Sequence, residues 1–90
     1  MNTPKARDLI PLPGPFIFKV VTDPKRVTLQ DLLKLTREKL GREAEVAVTQ
    51  KESKAGKYRS FSFKIHIHVY EEIETLYSAY HKYEGVVWVI

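Results

Sequence analysis

The sequence predicts an α+β domain with the ferredoxin-like order β-α-β-β-α-β, in which a four-stranded antiparallel sheet carries both helices on one face. Two segments place apolar residues at helical spacing, and the segments around them alternate or are rich in β-branched residues, as strands are. Right-handed crossovers put both helices on the same side of the sheet, with the first and third strands in its centre. Ninety residues, 43% of them hydrophobic, give room for one such domain and one core.

The amino-terminal segment is predicted to be a proline-rich arm over residues 1–14, followed by the single domain over residues 15–90. Pro4, Pro11 and Pro13 prevent regular helix and favour extended backbone. The apolar piece from Leu9 to Leu12 is expected to lie against the body of the domain. One interpretation is that residues 9–13 fold over the exposed sheet face and cover it.

The first strand and first helix are marked by their composition and by their ends. The run from Phe16 to Val21 is β-branched and aromatic, and Pro24 ends it. Thr28 opens the helix because, with Asp31 three residues later, it can form a variant of the capping box, and Gly41 supplies the stop. The apolar stripe predicted for this helix is Leu29, Leu32, Leu33, Thr36 and Leu40.

The second and third strands are predicted to form a hairpin. Residues 45–51 alternate, residues 53–56 supply the turn, and residues 58–69 form the clearest strand of the chain. An alternation this strict indicates that one face of the third strand meets a core and the other does not. The core side is Phe61, Phe63, Ile65, Ile67 and Val69, and the open side is Ser60, Ser62, Lys64, His66 and His68.

The second helix is predicted from about Tyr70 to Lys82, and Gly85 breaks it. The chain closes on Val86 to Ile90, a short strand that is apolar at every position. Such a strand must point some apolar side chains away from the helices: either Trp88, or the pair Val87 and Val89. It is also expected to be an edge strand, whose unpaired backbone groups invite another strand.

Three pieces of the chain resemble the YbeD-like family of small bacterial cytosolic proteins of unknown function. They are Phe-Ile-Phe-Lys-Val at 16–20, Ser-Lys-Ala-Gly-Lys-Tyr-Arg-Ser at 53–60, and Glu-Thr-Leu-Tyr at 74–77, the most specific. The resemblance covers nearly the whole chain after the arm. It implies the ferredoxin-like fold, a shape likened to amino-acid-sensing ACT regulatory domains, and it supplies no catalytic residues.

The composition indicates a cytoplasmic protein. There is no cysteine, which excludes a disulfide framework and a zinc–thiolate site, and no apolar run approaches the ~20 residues of a membrane span. The net charge is +4, with a basic stretch at 51–64 and an acidic last third. This separation of basic and acidic segments along the chain would help to orient the protein as it approaches an acidic partner.

The leading functional prediction is a non-catalytic regulatory or adaptor domain that contacts a protein partner, or a second copy of itself, through the open sheet face and the last edge strand. An exposed apolar patch there would mark an interface. The residues predicted to line it are Ile17, Lys19, Val21, Lys64, His66, His68, Val87, Trp88 and Val89.

Two alternatives stay open. An ACT-like metabolite sensor would place its ligand in the loop after the first strand, although Lys25 stands where such loops carry glycine; its residues would be Thr22, Asp23, Lys25, Arg26 and Thr28. A weak RNA-binding protein would use the basic hairpin, but the third strand puts serines where stacking aromatics are needed. Its residues would be Lys51, Lys54, Lys57, Tyr58 and Arg59.

No enzyme, metal or cofactor is predicted. His66 and His68 share one face of a strand, at a spacing that can grip one ion, but zinc requires three or four ligands. The chain has no glycine-rich phosphate loop and no nucleophile elbow. Serines and histidines side by side on a flat sheet also lack a cleft that excludes water.

Overall fold

In a computed structural model of the chain, residues 9–90 are described, and they have the predicted ferredoxin-like fold. From Gly14 onward the elements follow the order β-α-β-β-α-β. They are β1 (Gly14–Thr22), α1 (Leu29–Leu40), β2 (Val46–Glu52), β3 (Arg59–Ile67), α2 (Tyr70–Lys82) and β4 (Val86–Val89). The two helices end within a residue of the predicted positions. Neither of them is long and apolar enough to cross a membrane.

The sheet is antiparallel throughout, with the order β2-β3-β1-β4, so β1 and β3 are central as predicted. β1 starts at Gly14, two residues before Phe16, where the predicted strand began. Gly14 is buried and lies opposite Ile67 at the end of β3, so the long alternation of β3 provides pairing partners for the extra residues. Between β2 and β3 the chain turns through a short 3₁₀ segment, Lys54–Gly56.

The core lies between the sheet and the two helices. Both central strands turn every second side chain toward it, and the helices contribute Leu32, Ile73, Leu76 and Tyr80, all fully buried or nearly so. Burial of each such large side chain stabilises the fold by roughly 1.5–3 kcal/mol. The buried strand residues are Phe18, Val20, Thr22, Phe61, Phe63, Ile65 and Ile67.

Helix α1 begins and ends on the predicted signals. The Thr28 side chain accepts the backbone N–H of Asp31, and the Asp31 carboxylate accepts that of Thr28, which completes the capping box. The backbone N–H of Thr28 and, to a smaller extent, its side chain hold the pKa of the Asp31 carboxyl below its usual range. Gly41 ends the helix at φ 70°, in the left-handed region that glycine enters without strain.

One polar pair is buried between the two helices. The Thr36 hydroxyl lies 2.7 Å from the carbonyl oxygen of Leu32 and 2.6 Å from the Tyr80 hydroxyl. A threonine has a single hydroxyl hydrogen, and the carbonyl can only accept, so Thr36 donates to Leu32 and Tyr80 donates to Thr36. Burial raises the pKa of Tyr80 to about 12, although the Thr36 hydrogen bond opposes the change.

The connection from β3 into α2 is held by an ion pair. The Arg42 guanidinium donates to the carbonyl oxygen of His66 at 2.8 Å and lies 3.2 Å from a Glu72 carboxylate oxygen. That carboxylate accepts the backbone N–H of His68 at 2.7 Å. Burial acts to raise the pKa of Glu72, but the His68 N–H and Arg42 outweigh it and the pKa is lowered.

Residues 9–13, the described part of the segment before β1, do not cover the open sheet face. Ile10 and Leu12 are partly buried against the core, and Ile17 and Trp88 stay exposed on the other side of the sheet. The interpretation that residues 9–13 fold over the open face is therefore wrong, because the Ile10 and Leu12 side chains pack against the core instead. Residues 1–8 of the predicted arm lie outside the described residues.

Candidate functional site

The candidate site is the open face, the side of the sheet that points away from the helices. The strand registers fix its layout as rows that run across the sheet. Lys64 lies opposite Ile17; Ser62 lies opposite Lys19, and Ser60 opposite Val21. On the outer strand β2, the partners of these β3 residues are Ala47, Thr49 and Lys51 in the same order.

Trp88 belongs to this face. Its Cα partner is Val21, which has open-face parity, and its side chain is 62% exposed. Beyond the last strand residue, Ile90 exchanges two backbone hydrogen bonds with Lys19, at 2.8 and 3.2 Å. Ile90 therefore shares the face of Lys19 and Trp88, and it is 57% exposed. The sequence left open whether Trp88 points inward or outward, and the pairing with β1 places it outward.

The prediction that Val89 lines the open face is wrong. Val89 lies opposite Val20, a fully buried core residue, and it is half-buried against the core. Val87 is exposed, as predicted, but it stands at an irregularity of the ladder: Thr22 pairs with Val86, whereas Val21 pairs with Trp88. This bulge shifts the alternation of β4, which is why Val87 and Val89 do not behave as a pair.

One side of the open face is an apolar corner formed by Ile17, Val21, Trp88 and Ile90. Ile17 is 59% exposed, so three of these four large side chains keep more than half of their surface in contact with water. They come from β1 and from the end of the chain at β4, which are neighbours in the sheet. Contiguous apolar side chains on a surface are typical of places where proteins bind partners.

The other side is a basic half formed by Lys51 and Lys64, together with Lys19, which lies on β1 between Ile17 and Val21 and so borders the apolar corner. These lysines are exposed, and the hydroxyls of Thr49, Ser60 and Ser62 lie between them. Two shallow depressions of about 230 and 290 Å³ lie here, and both are lined by Lys19, Lys51 and Ser60. No strand residue on this face carries a carboxylate. Glu52 borders one depression, but it is paired with Arg59 at 2.6 Å.

The two histidines extend the basic half toward the far end of β3. His66 and His68 are both exposed, and their ring centroids lie 5.6 Å apart in an edge-to-face arrangement. Within residues 9–90 there is no group of three or more His, Cys, Asp or Glu side chains that could hold a metal ion. The pair is therefore best described as part of a polar surface.

Most residues of the predicted metabolite loop are occupied by structural contacts. Thr22 is buried and donates its hydroxyl to the carbonyl oxygen of Arg59 at 2.8 Å. Arg26 pairs with Glu84 at 2.6 Å, and Thr28 caps α1. The loop is thus fastened to β3, to the approach to β4 and to the first helix.

The remaining two loop residues line a cleft against the tip of the β2–β3 hairpin. Asp23 and Lys25 lie on one side, and Ala55, Gly56 and Lys57 on the other, around a volume of about 330 Å³. The Asp23 carboxylate accepts the backbone N–H of Lys25 at 2.9 Å. The structure therefore brings together one part of each alternative site, the metabolite loop and the basic hairpin.

The predicted RNA-binding residues are brought together in part: Lys51 and Tyr58 line one of the depressions of the open face. Lys51 belongs to the open face, Arg59 is paired with Glu52, and the Lys57 amino group lies 5.5 Å from the centre of the Tyr58 ring. Lys54 lies in the exposed hairpin tip. The hairpin thus gathers Lys51 and Tyr58 around one depression, with Lys57 beside the Tyr58 ring, whereas Arg59 is held by its ion pair.

One residue of the candidate site was missed by the sequence prediction. Ile90 completes the apolar corner, yet it was treated only as the end of a strand. The signal was present: Ile90 stands two residues after Trp88, so both must share a face wherever the strand continues without a bulge.

Comparisons with known proteins place the chain among relatives without a known activity. Residues 7–90 match the profile of a protein family of unknown function, DUF493. A UPF0250 protein of Shewanella loihica is 30% identical over 86 residues, which cover 96% of each chain. A UPF0250 protein of Haemophilus influenzae is also 30% identical, over 96% of this chain and 91% of its own. The solution structure of protein HP0495 from H. pylori has a TM-score of 0.73 at 19% identity. That match covers 100% of this chain and 94% of the other, and it supports the fold alone.

Proposed function

The chain belongs to the DUF493 family of proteins of unknown function, and on that basis we propose that it is a non-catalytic binding domain whose open face docks an acidic partner protein. The family match confirms the resemblance to YbeD-like proteins but brings no activity with it. The function must therefore be argued from the surface of this chain.

The single observation that carries the proposal is the apolar corner beside the basic half. Trp88, Ile17 and Ile90 are each more than half exposed and share one face with three lysines. Large aromatic and aliphatic side chains that stay in water are favourable to bury, at roughly 25 cal/mol for each Å² removed from water. Tryptophan is also enriched among the residues that dominate binding energy at interfaces.

The charge of the face favours an acidic partner over a second copy. If two open faces met with their basic halves together, Lys19, Lys51 and Lys64 would approach lysines of the other copy, with no strand carboxylate between them. Like charges brought together at an interface cost on the order of several kcal/mol. An acidic protein would instead be attracted and oriented by the basic half while its apolar residues cover the corner.

The flatness of the face supports a binding role. Its two depressions are shallow, so a reacting group held there would stay in contact with water. Catalytic groups are ordinarily placed in clefts that exclude water. The hydroxyls and imidazoles of β3 are better suited to hydrogen bonds at the rim of an interface.

Site-specific photo-crosslinking in the cells that produce the chain tests the proposal. A photo-reactive amino acid at position 17 is expected to give an adduct with an acidic protein, and the same group at position 39, on the exposed side of α1, is expected to give none. Lys51→Glu should abolish the adduct. Equal adducts at both positions, or an adduct indifferent to Lys51→Glu, would contradict the proposal.

The same reagents separate a protein partner from RNA. Trp88 is the single tryptophan of the chain, so its emission reports on the open face directly. The purified partner should shift that emission to shorter wavelength. Quenching by a short RNA, with an affinity that falls steeply with salt, would instead favour the nucleic-acid alternative.

A further inference from the structure

The layout of the open face identifies the kind of segment that the partner presents. Resting on the proposed function, we propose that this segment is an amphipathic α-helix that lies along β1, with its apolar stripe on the apolar corner and a row of carboxylates on the flank above β3 and β2. The inference follows from the dimensions of the face, from the position of its charges and from the state of the sheet edges.

The apolar corner has the length of a short helical stripe. It runs from Ile17 to Val21 along β1, with Ile90 and Trp88 beside it on the β4 side. Four residues of strand span about 13 Å, and a helix covers that length in about nine residues. Three or four apolar positions spaced i, i+3, i+4 and i+7 would therefore fill the corner, as in other helix-in-groove interfaces.

The cations lie to one side of that stripe. Lys64 is opposite Ile17 on β3, and Lys51 is one strand further out, on β2. Neighbouring strands are about 4.8 Å apart, so Lys64 and Lys51 lie roughly 5 and 10 Å from the axis of β1. A helix with its side chains is about 10–12 Å wide, so residues on one flank would reach both amino groups. Carboxylates on that flank of the helix would be attracted by the amino groups of Lys64 and Lys51, and lysines on it would be repelled.

Lys19 stands within the apolar corner, between Ile17 and Val21 on the same strand. Its hydrocarbon stem can lie against the apolar side chains while its amino group reaches toward the basic half, as long cationic side chains commonly do. A helix that lies over β1 would therefore contact the stem of Lys19, and the amino group would lie beside the helix and remain unburied.

The edges of the sheet are poorly suited to the alternative of an added strand. β4 has only four residues and carries the bulge at Val87, and both features discourage pairing with another strand. The far edge, β2, carries exposed Lys51 and Glu52 at its end. A helix on the open face needs neither edge, and it would complete a third layer over the sheet.

A second copy cannot supply the required helix from α1 or α2. The exposed side of α2 carries the acidic residues Glu71 and Glu74, but its other residues, such as Ser78 and Lys82, are polar too, so this side has no apolar stripe. The exposed side of α1 carries Lys34 and Glu38. Within residues 9–90 neither helix fits, which favours a helix from a different protein.

Selection from two peptide display libraries tests the inference. One library varies the surface of a stable helical scaffold, the other presents linear peptides, and both are selected on the intact chain and counter-selected on Trp88→Asp. Enriched helices are expected to carry apolar residues at helical spacing and Asp or Glu on one flank. With tryptophan-free binders, the emission of Trp88 gives the Kd. Lys51→Glu should weaken binding about tenfold or more, and Lys39→Glu on α1 should leave it unchanged.

The outcomes separate this inference from the proposed function. If linear peptides dominate and binding still requires Trp88 and Lys51, the open face binds partners but the helix inference is wrong. Helices enriched without acidic flanks, or with basic ones, would also overturn the inference. If no clone distinguishes the wild-type chain from Trp88→Asp, both the inference and the proposed function fail.

Discussion

Substitution of Thr36 by valine tests how the buried polar pair between the helices stabilises the fold. Valine keeps the shape of threonine, so the packing is preserved and only the hydroxyl is lost. Tyr80 is fully buried, and its hydroxyl would then have no acceptor. A buried hydroxyl left without a partner costs about 1–3 kcal/mol. For a domain of this size, each kcal/mol lowers Tm by about 4–8 °C.

The direction of the hydrogen bond predicts an asymmetry between the two single variants. Tyr80→Phe removes the donor, but the Thr36 hydroxyl still donates to the carbonyl oxygen of Leu32, so no buried group is stranded. This change should cost only about 1 kcal/mol. The double variant should cost no more than Tyr80→Phe, because valine and phenylalanine leave nothing unsatisfied.

Urea unfolding followed by far-ultraviolet circular dichroism measures all three variants. Circular dichroism is preferable to fluorescence here, since the only tryptophan lies exposed on the open face. The expected order of destabilisation is Thr36→Val greater than Tyr80→Phe, with an m value equal to that of the wild-type chain. If Tyr80→Phe costs more, or if the two effects simply add in the double variant, the assignment of donor and acceptor is refuted.

Three further substitutions test the contacts that position the site. Gly85→Ala should destabilise the fold by more than about 2 kcal/mol in thermal melts, because Gly85 has φ 96° and an added Cβ would collide with the Val27 side chain. A loss of stability below about 0.5 kcal/mol would contradict this. Thr28→Ala should cost about 1 kcal/mol in urea unfolding through loss of the α1 cap, whereas an unchanged midpoint would mean that the cap is dispensable. The pKa of Glu72 is lowered in the folded state, so the stability that its carboxylate contributes is present above the ordinary pKa of 4.5 and is lost as the pH falls through the folded pKa. Glu72→Gln should therefore reduce the loss of unfolding free energy at acidic pH. An unaltered dependence of that free energy on pH would show that Arg42 does not hold the carboxylate.

The parts of the fold that could be predicted from the sequence are those set by local patterns. The strict alternation of β3 identified its core side, and both ends of α1 were marked by Thr28 and Gly41, because a cap is decided within a few residues. The placement of both helices on one face followed from the handedness of the crossovers, which holds for nearly all such connections, and the central position of β1 and β3 followed from the ferredoxin-like topology.

The parts that could not be predicted depend on contacts between distant residues. Every residue of β4 is apolar, so its own pattern does not identify its faces, and only the pairing of Trp88 with Val21 decides that Trp88 points outward. The bulge in that pairing leaves Val87 exposed, whereas Val89 faces the core because it lies opposite Val20. The ion pair of Arg42 with Glu72 joins residues thirty positions apart, so no local pattern indicates it.

The candidate site was predicted in part. The parity of β1 and β3 placed Ile17, Lys19, Val21 and Lys64 together, because alternation is a property of the strand alone. That these residues form an apolar corner beside a basic half depends on the neighbours of each strand, and this became visible only with the sheet order. Binding of a partner to this face stays a prediction.

Amide chemical shifts give the most direct test of the claim that the open face is the binding surface. The partner isolated by crosslinking at position 17 would be added, in unlabelled form, to the ¹⁵N-labelled chain. We expect the largest shifts to fall on Ile17 to Val21, on the open-face residues of β3 and on Trp88 to Ile90. Shifts confined to the loop Thr22–Thr28 and the hairpin tip Lys54–Gly56 would contradict it and would direct attention to the cleft between them.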